Sequence, residues 1–358
     1  MKSQDVVPLP HFERCLRFEI EGKVGFIIIH NTVLGPALGG LRVKRYSSEA
    51  ECFSDCARLA RGMSYKNSAS GFSLGGGKAA VNASSEEITH TFLKEYGELV
   101  ASLRGEYITA PDFGTDVRMM DVIAQKTRYV TCLSPENGGL GDPSPFTARG
   151  VFLSLEKAVN FLGLKKERSL RVLLQGYGKV GKSLASLLRE AGYKVIVSEI
   201  SEERKNQAKK DGFWVVEREK FYETPAEIFS PNGSGGVVNP ETILLLKKAG
   251  VKLICGGANN QLAETEREVD LLRNEEIWYI PDFIANAGGV ALAYTEWRLR
   301  QGEIKKEEVE TEMNKLLEKI AKRVGKILQS ARGRGLTTMA AAERLAEETV
   351  ADHGGRLR

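Results

Sequence analysis

The sequence predicts an α/β protein of two domains: a mixed α/β domain first, then a doubly wound domain built on a parallel sheet, with C-terminal helices returning to the first. Three observations predict it. Short β-rich runs alternate with helical periodicity along most of the chain. A strand, a glycine-rich turn and a helix follow one another near the middle. A stretch dense in Pro and Gly, Ser134 to Pro145, separates the two regions.

Val24 to His30 opens the series, because Phe26, Ile27, Ile28 and Ile29 form the continuous apolar run of a buried strand. Ser48 with Glu51 makes a capping box, and Phe53, Cys56, Ala60 and Met63 then recur at helical spacing, which predicts a helix from about 48 to 64. Ser84 with Glu87 starts a second helix through Ile88, Phe92, Tyr96, Leu99 and Leu103. Between the two, Ser70 to Lys78 reads as a glycine-rich loop leading into a short strand, Ala79 to Asn82. Tyr107 to Ala110 and Tyr129 to Cys132 are further strands, bracketing an amphipathic segment with Val117, Met120 and Ile123.

Past the connection, a helix from Thr147 to Leu162 precedes the strand Arg171 to Gln175, a turn, a helix to about Ala191 and the strand Val195 to Ser198, a β-α-β unit. Asn239 followed by Pro240 caps a helix to about Lys248, and Val251 to Cys255 and Ile277 to Ile280 read as strands. From Val290 onward the pattern is helical, with Leu316, Ile320, Val324 and Ile327 on one face. The predicted division is residues 1–135, with 331–358 packing back on them, and a nucleotide domain of Rossmann type over 136–330.

Composition excludes several classes of function. The 51 Lys+Arg and 47 Asp+Glu are interleaved and leave a formal charge of +4, which argues against a nucleic-acid or membrane surface. The locally basic end, with Arg332, Arg334, Arg356 and Arg358 near Glu343, Glu347 and Glu348, reads as solvated helix and tail. Five cysteines form no CxxC pair, which points to reduced thiols and a cytoplasmic setting instead of a disulfide framework or a zinc site. Met1 to Pro10 lacks the pattern of an export signal, and no apolar run approaches the roughly 18 residues that cross a bilayer.

Gly176-Tyr177-Gly178-Lys179-Val180-Gly181 matches GxGxxG directly after a strand and at the start of a helix, where bare backbone and free N–H groups suit a pyrophosphate. Glu199, followed by Ile200, ends the next strand, 18 residues past Gly181, where a carboxylate can accept hydrogen bonds from an adenosine ribose. Such a carboxylate would repel a 2′-phosphate, so NAD is favoured over NADP, with Arg204 and Lys205 nearby as the opposing signal.

Lys66 and Lys78 stand twelve positions apart, each read as lying in a loop with small neighbours that leave room for a ligand. Two ammonium groups meeting in one cleft lower each other's proton affinity, so one could serve as a base and the other as a point charge for a carboxylate. Spacing alone does not separate them from solvated surface lysines. The surrounding motifs do. Leu34-Gly-Pro-Ala-Leu-Gly-Gly-Leu-Arg42, Arg61-Gly-Met-Ser-Tyr-Lys-Asn67, the Gly-Gly-Lys at 76–78 and Thr109-Ala-Pro-Asp-Phe-Gly-Thr115 resemble, in order and spacing, the leucine/phenylalanine/valine dehydrogenase branch of the glutamate dehydrogenase superfamily. Gly141-Asp-Pro-Ser-Pro-Phe-Thr147, the nucleotide turn, Gly256-Gly-Ala-Asn-Asn-Gln261 and Pro281-Asp-Phe-Ile-Ala-Asn-Ala-Gly-Gly289 continue the resemblance over nearly the whole chain.

The resemblance implies NAD-dependent oxidative deamination of an apolar L-amino acid, with Lys66 holding the substrate carboxylate, Lys78 as the base that activates water and Asp112 shuttling the amine's proton. It also implies that Asn260 and the backbone at Gly39 and Gly40 fix the substrate. Thr147, Ala258, Asn259 and Asn286 would bound the nicotinamide and its ribose, and Leu38, Met63, Ala110, Val290 and Ala293 would line the side-chain pocket. That pocket offers no partner for a second carboxylate, so glutamate is a poor candidate.

Leucine or valine is the first expectation: Gly256 to Leu262 resembles the leucine enzymes. Ala-Pro-Asp at 110–112 resembles the phenylalanine enzymes, the second expectation, and Ala293 would enlarge the pocket. The resemblance further implies a homo-oligomer, a dimer or octamer, built through the first domain, with the strand near Ile27 to Ile29 as an interface, and a cleft that closes about Asp142 and Pro143. A silent nucleotide-binding scaffold is the alternative if the chemistry were lost, but Lys66, Lys78 and Asp112 are all present. A hydroxy-acid dehydrogenase would place a His beside an Arg, and none of His11, His30, His90 and His353 sits in such a motif.

Overall fold

The apolar run at 26–29 is a strand with both faces covered: Ile27 and Ile29 join one core, Phe26 and Ile28 another. It belongs to a computed structural model that describes residues 2–6, 9–164 and 169–357. Met1, Val7 and Pro8 of the N-terminal stretch and Arg358 of the basic tail lie outside the described residues.

The chain divides into two compact units. The first comprises Met1–Pro143, Val290–Asn314 and Leu345–Arg358. Its elements begin with β1 (Lys2–Val6), β2 (Arg14–Ile20), β3 (Lys23–Asn31), β4 (Ala37–Lys44) and α1 (Glu49–Ser70). β5 (Gly75–Asn82), α2 (His90–Ser102), β6 (Tyr107–Pro111) and α3 (Val117–Ala124) follow. The strands form one mixed sheet in the order β1-β2-β3-β5-β4-β6, antiparallel from β1 to β5 and parallel from β5 through β4 to β6. Helices α2 and α3 cover one face through Phe92, Tyr96, Leu99, Met120 and Ile123; α1 covers the other through Cys52, Cys56 and Ala60.

Several expectations change here. α1 runs six residues further than predicted, to a left-handed cap at Gly71, because the small polar residues after Met63 are buried against the sheet and not in a loop. A Cβ on Gly76 would fall 2.1 Å from the Ser64 backbone nitrogen, so the glycine run is the strand β5, kept bare to let α1 approach. Lys66 therefore lies on a helix and Lys78 on a central strand, neither of them in a loop. The Ser84–Glu87 box caps only a short 3₁₀ turn, and α2 starts instead from Thr89, whose hydroxyl accepts from Phe92 N at 2.9 Å. Tyr129 to Cys132 forms no strand beyond one bridge between Val130 and Thr109, since Cys132 turns into the left-handed region at φ 62°. Ile27, Ile28 and Ile29 are at most 2% exposed and lie inside the unit, so they offer no interface.

The second unit comprises Ser144–Gly289 and Lys315–Arg344. It contains α4 (Ser144–Leu162), β7 (Arg171–Gln175), α5 (Lys179–Glu190), β8 (Lys194–Ser198), α6 (Glu202–Lys210) and β9 (Trp214–Val215). α7 (Arg218–Phe221), β10 (Ile228–Pro231), α8 (Pro240–Ala249), β11 (Leu253–Ile254), α9 (Thr265–Asn274), β12 (Trp278–Tyr279) and α10 (Asp282–Ala285) follow. All pairings are parallel, in the order β12-β11-β10-β7-β8-β9. This is the doubly wound Rossmann order, with its switch point beside β7, where the glycine turn begins.

The last helices are α11 (Gly288–Gln301), α12 (Val309–Arg334) and α13 (Thr338–Ala351). Of the segment 331–358 expected to return, residues 345–358 group with the first unit and 331–344 with the second, and residues 290–314 join the first unit as well. Hydrogen bonds explain the earlier return. Thr131 donates its hydroxyl to Ala293 O at 2.8 Å, and the buried Glu296 carboxylate accepts from Leu133 N at 3.0 Å and Leu140 N at 2.8 Å, tying α11 to the segment after β6. Among the described residues no helix is long and apolar enough to cross a membrane.

Candidate active site

The order β5-β4-β6 brings three charged residues together that are far apart in sequence. Arg42 pairs with Ala80 across β4 and β5, and Leu41 pairs with Pro111 across β4 and β6, so Arg42 and Asp112 are neighbours in register. Alternation along parallel strands puts Leu38, Gly40 and Arg42 of β4, Lys78 of β5 and Ala110 of β6 on the face that α1 covers. Met63 and Lys66 stand three residues apart on α1, both half-buried. Gly39 alternates to the other face, and its carbonyl accepts the Tyr107 hydroxyl.

Lys78 is 5% exposed, and its Nζ lies 2.9 Å from Asp112 Oδ2. Arg42 Nε reaches the same oxygen at 2.9 Å. Oδ1 of Asp112 has no partner among the described residues and is the open acceptor of the cluster. The loop carrying Asp112 is fixed at both ends: Asp112 N donates to Thr115 Oγ1 at 2.9 Å, and that hydroxyl donates to Leu41 O at 2.9 Å. Burial would raise the Asp112 carboxyl, but the Lys78 and Arg42 charges and their hydrogen bonds outweigh it and hold the group well below the usual carboxylate range. It is a carboxylate at neutral pH.

Sequence reasoning missed the support behind this pair. Arg42 Nη1 lies 3.2 Å from Asp55 Oδ2, and that same oxygen accepts the Tyr46 hydroxyl at 2.8 Å. Arg42 was visible as a cation inside an apolar strand, between Leu41 and Val43, which is a position that calls for a buried partner. The expected side-chain pocket is drawn from this same unit: Leu38 at 2%, Ala110 at 6% and Ala293 at 3% exposure, with Met63 and Val290 half-buried.

In the second unit the glycine turn joins β7 to α5. Gly176 adopts φ 90°, and a Cβ on Gly181 would fall 2.0 Å from Gly176 O, so the first turn of the helix packs directly on the loop. Gly178 is the N-cap and offers no side chain to the first-turn N–H groups, which stay available to an anion. Tyr177 is buried and donates its hydroxyl to Asp211 at 2.8 Å, while Lys179 is exposed and Val180 half-buried.

Glu199 behaves differently from its expected role. Its Oε2 accepts from Tyr177 N at 2.7 Å, and its Oε1 from Ile200 N at 2.7 Å and Ser201 N at 3.0 Å, so the carboxylate braces the turn. Burial raises this carboxyl, but the three backbone N–H donors prevail and keep it below its ordinary value. One lone pair on Oε2 remains for a ribose hydroxyl. Ile200 is 82% exposed beside it.

Asn286 is 5% exposed and donates to Asn259 Oδ1 at 2.7 Å, with Gly257 O and Ala258 O further off, while its Oδ1 is buried with no partner. An orphaned buried acceptor, a bare glycine turn and open helix N–H groups together fit a nicotinamide dinucleotide, whose carboxamide is a donor and whose pyrophosphate is an anion. Thr147 sits half-buried in the first turn of α4. Asn260, also in this unit, is exposed at φ 52° and uses its carbonyl to accept from Gly236 N at 2.8 Å.

A mixed sheet carrying a partly buried Lys–Asp–Arg cluster and a second unit of dinucleotide-binding type define a nucleotide-dependent dehydrogenase class. Residues 16–129 match the family described as Glu/Leu/Phe/Val dehydrogenase, dimerisation domain, and residues 197–354 match Glutamate/Leucine/Phenylalanine/Valine dehydrogenase. The chain belongs to this family of amino-acid dehydrogenases. It is 39% identical to leucine dehydrogenase of Thermoactinomyces intermedius over 332 residues, covering 92% of this chain and 87% of that one. It is 38% identical to valine dehydrogenase of Streptomyces virginiae over 337 residues, covering 92% and 91%. The crystal structure of L-tryptophan dehydrogenase from Nostoc punctiforme superposes with a TM-score of 0.82 at 33% identity, covering 96% and 97% of the two chains.

Proposed function

We propose that this chain catalyses the reversible oxidative deamination of an apolar L-amino acid to the 2-oxo acid and ammonia, with leucine or valine as the preferred substrate and NAD as the acceptor. The observation that carries the reading is the Lys78–Asp112 contact at 2.9 Å, buried in the first unit beside Arg42. Relatives named leucine and valine dehydrogenase match over 92% of the chain, which supports the aliphatic choice. Small residues at Ala110 and Ala293 and the likeness to a tryptophan enzyme favour an aromatic side chain, phenylalanine included, as the second reading.

The first unit takes the amino acid, and the second takes the nucleotide through Gly176 to Gly181, Glu199, Asn259 and Asn286. A nicotinamide bound there would supply the acceptor for the hydride of the α-carbon. Lys66 holds the substrate carboxylate as a point charge. Asp112 Oδ1, the open oxygen, accepts a proton from the amine, while Oδ2 stays clamped. Lys78, once it has released its own proton to solvent, takes a proton from the water that attacks the resulting imine carbon, and the ammonium so formed stabilises the adduct. Asp112 returns a proton to the nitrogen as ammonia leaves. Oxygen from water ends on the oxo acid, its remaining proton passes to solvent as the carbonyl forms, and the nitrogen leaves with the bonding pair of the broken C–N bond.

The Glu199 charge at the end of β8 supports NAD, since a 2′-phosphate would approach a carboxylate that three N–H donors keep ionised. The enzyme is proposed as cytoplasmic, consistent with five buried free thiols, and as a homo-oligomer, dimer or octamer, consistent with the dimerisation domain of its family. The test is nicotinamide reduction followed by absorbance, with NAD and NADP against a panel of L-amino acids, wild type beside Lys78→Ala. Turnover of leucine or valine that falls by about 10³-fold in the variant supports the reading; no apolar amino acid reacting above the variant's background overturns it.

A further inference from the structure

The second unit contains a cavity of about 340 Å³ that shares no lining residue with the glycine turn. It forms where the segment between α12 and α13 crosses the end of α9 and the edge strand β12. Apolar side chains form part of its wall: Val269 and Leu272 from α9, Ile277 beside β12, Ala331 from α12 and Leu336 from the crossing segment. A volume of this order lies in the range of small-molecule sites.

Two guanidiniums line the same cavity. Arg332 lies 3.9 Å from the Phe161 ring centre and 5.6 Å from that of Trp278, two rings that pack edge to face at 5.7 Å. Stacking fixes the plane of the guanidinium and leaves its N–H donors at the rim unused. Arg273 stands at the last turn of α9. Elsewhere Arg14, Arg17, Arg42, Arg171 and Arg298 each meet a carboxylate, yet among the described residues neither Arg273 nor Arg332 is in an ion pair, and Glu276 in the same wall contacts neither. The first turn of α13, with Thr337 and Thr338 in the wall, adds the positive end of a helix.

From this geometry we infer a second binding site, for a small carboxylate with an apolar body: the carboxylate meets Arg332 and Arg273 at the rim, and the hydrocarbon fills the space between α9 and Leu336. Charge complementarity selects the anion, and the apolar side chains select the body. The inference does not rest on the catalytic reading, since the site uses none of the residues assigned there.

The test is a titration of the full chain with isocaproate, read by tryptophan fluorescence because Trp278 lines the cavity, with isocaproamide as the uncharged control. Lys66→Ala serves as a background in which carboxylate binding at the candidate active site is removed. Expected is a saturable change with a midpoint on the order of 1 mM, unaltered in Lys66→Ala and absent in Trp278→Phe. Arg273→Gln and Arg332→Gln should each weaken it about tenfold or more. Where Arg332→Gln lowers the melting temperature, Arg273→Gln alone decides. No saturable change, equal binding of the amide, or loss of the signal in Lys66→Ala would each overturn the site.

Discussion

Arg42 Nε reaches Asp112 Oδ2 at 2.9 Å, the same oxygen that Lys78 holds, so one carboxylate oxygen carries two cations while its twin is left open. The arrangement separates the two jobs of Asp112. One oxygen keeps the group charged and oriented, and the other is available to the substrate amine.

Arg42→Met removes one of the two cations that depress the Asp112 carboxyl, so the carboxyl rises toward its ordinary value and is protonated at a higher pH. The acid limb of kcat/KM should move upward in pH, with about a 10²-fold loss in the plateau. Arg42→Lys, which keeps the charge, should recover most of the limb position. A pH–rate profile decides; a limb that does not move in Arg42→Met would show that Arg42 leaves the ionisation of Asp112 untouched.

Asp112→Asn leaves Lys78 and Arg42 facing each other without their shared anion and should cost about 3 kcal/mol of stability. Lys78→Met leaves the Arg42–Asp112 pair intact and should cost less. Urea unfolding of the two variants tests the order.

His30 is 1% exposed, with Nδ1 2.8 Å from Ser64 Oγ. Burial, then the charge of Arg61, lowers its pKa to about 4. The unfolded chain binds this proton first, so the contribution of neutral His30 is complete above the unfolded value near 6.5 and is lost as pH falls toward 4. The loss amounts to about 3 kcal/mol across that window. His30→Gln should remove this part of the acid dependence, as measured by unfolding midpoints between those two pH values.

Ala293→Val narrows the expected pocket by two methyl groups. Selectivity should shift toward valine and away from phenylalanine by about tenfold in kcat/KM. An unchanged ratio would mean that Ala293 does not meet the side chain.

Gly76→Ala forces a Cβ to within 2.1 Å of the Ser64 backbone and 2.3 Å of its hydroxyl. Helix and strand are both held by backbone, so the clash should cost about 3 kcal/mol or more and lower the melting temperature sharply. Gly138→Ala is the contrast: no atom would lie within 4 Å of its Cβ, and only the cost of φ 78° remains.

Elements with a strong local signal were legible in the sequence. β7, from Arg171 to Gln175, has its predicted bounds, and Asn239 with Pro240 opens α8. Misreadings arose where long-range packing overrides composition. Glycines at 75–77 resemble a loop until α1 is laid on them, and the serines at 64, 68 and 70 resemble a helix end until they are buried. The Lys78–Asp112 contact required the family resemblance, because no local pattern reveals that β4 lies between β5 and β6. Asp55 carried no signal of its own, since it meets Arg42 and Tyr46 only when α1 is laid on the sheet. Glu199 was placed correctly at the end of β8, but the length that lets it fold back onto Tyr177 N is a matter of rotamer, not of spacing.

β5 has neighbours on both sides, β3 and β4, and Lys78 sits in its middle. Its amide and those of the adjacent residues should exchange with solvent deuterium only when the whole unit opens, among the slowest in the chain. Asp112 lies past the end of β6, outside the strand ladder, on a turn held by the Thr115 hydroxyl, by Val43 N on Phe113 O and by the Ser85 hydroxyl on Gly114 O. Accommodation of an incoming amino acid therefore falls to the acid's side of the pair, while the lysine acts as the fixed datum against which it adjusts.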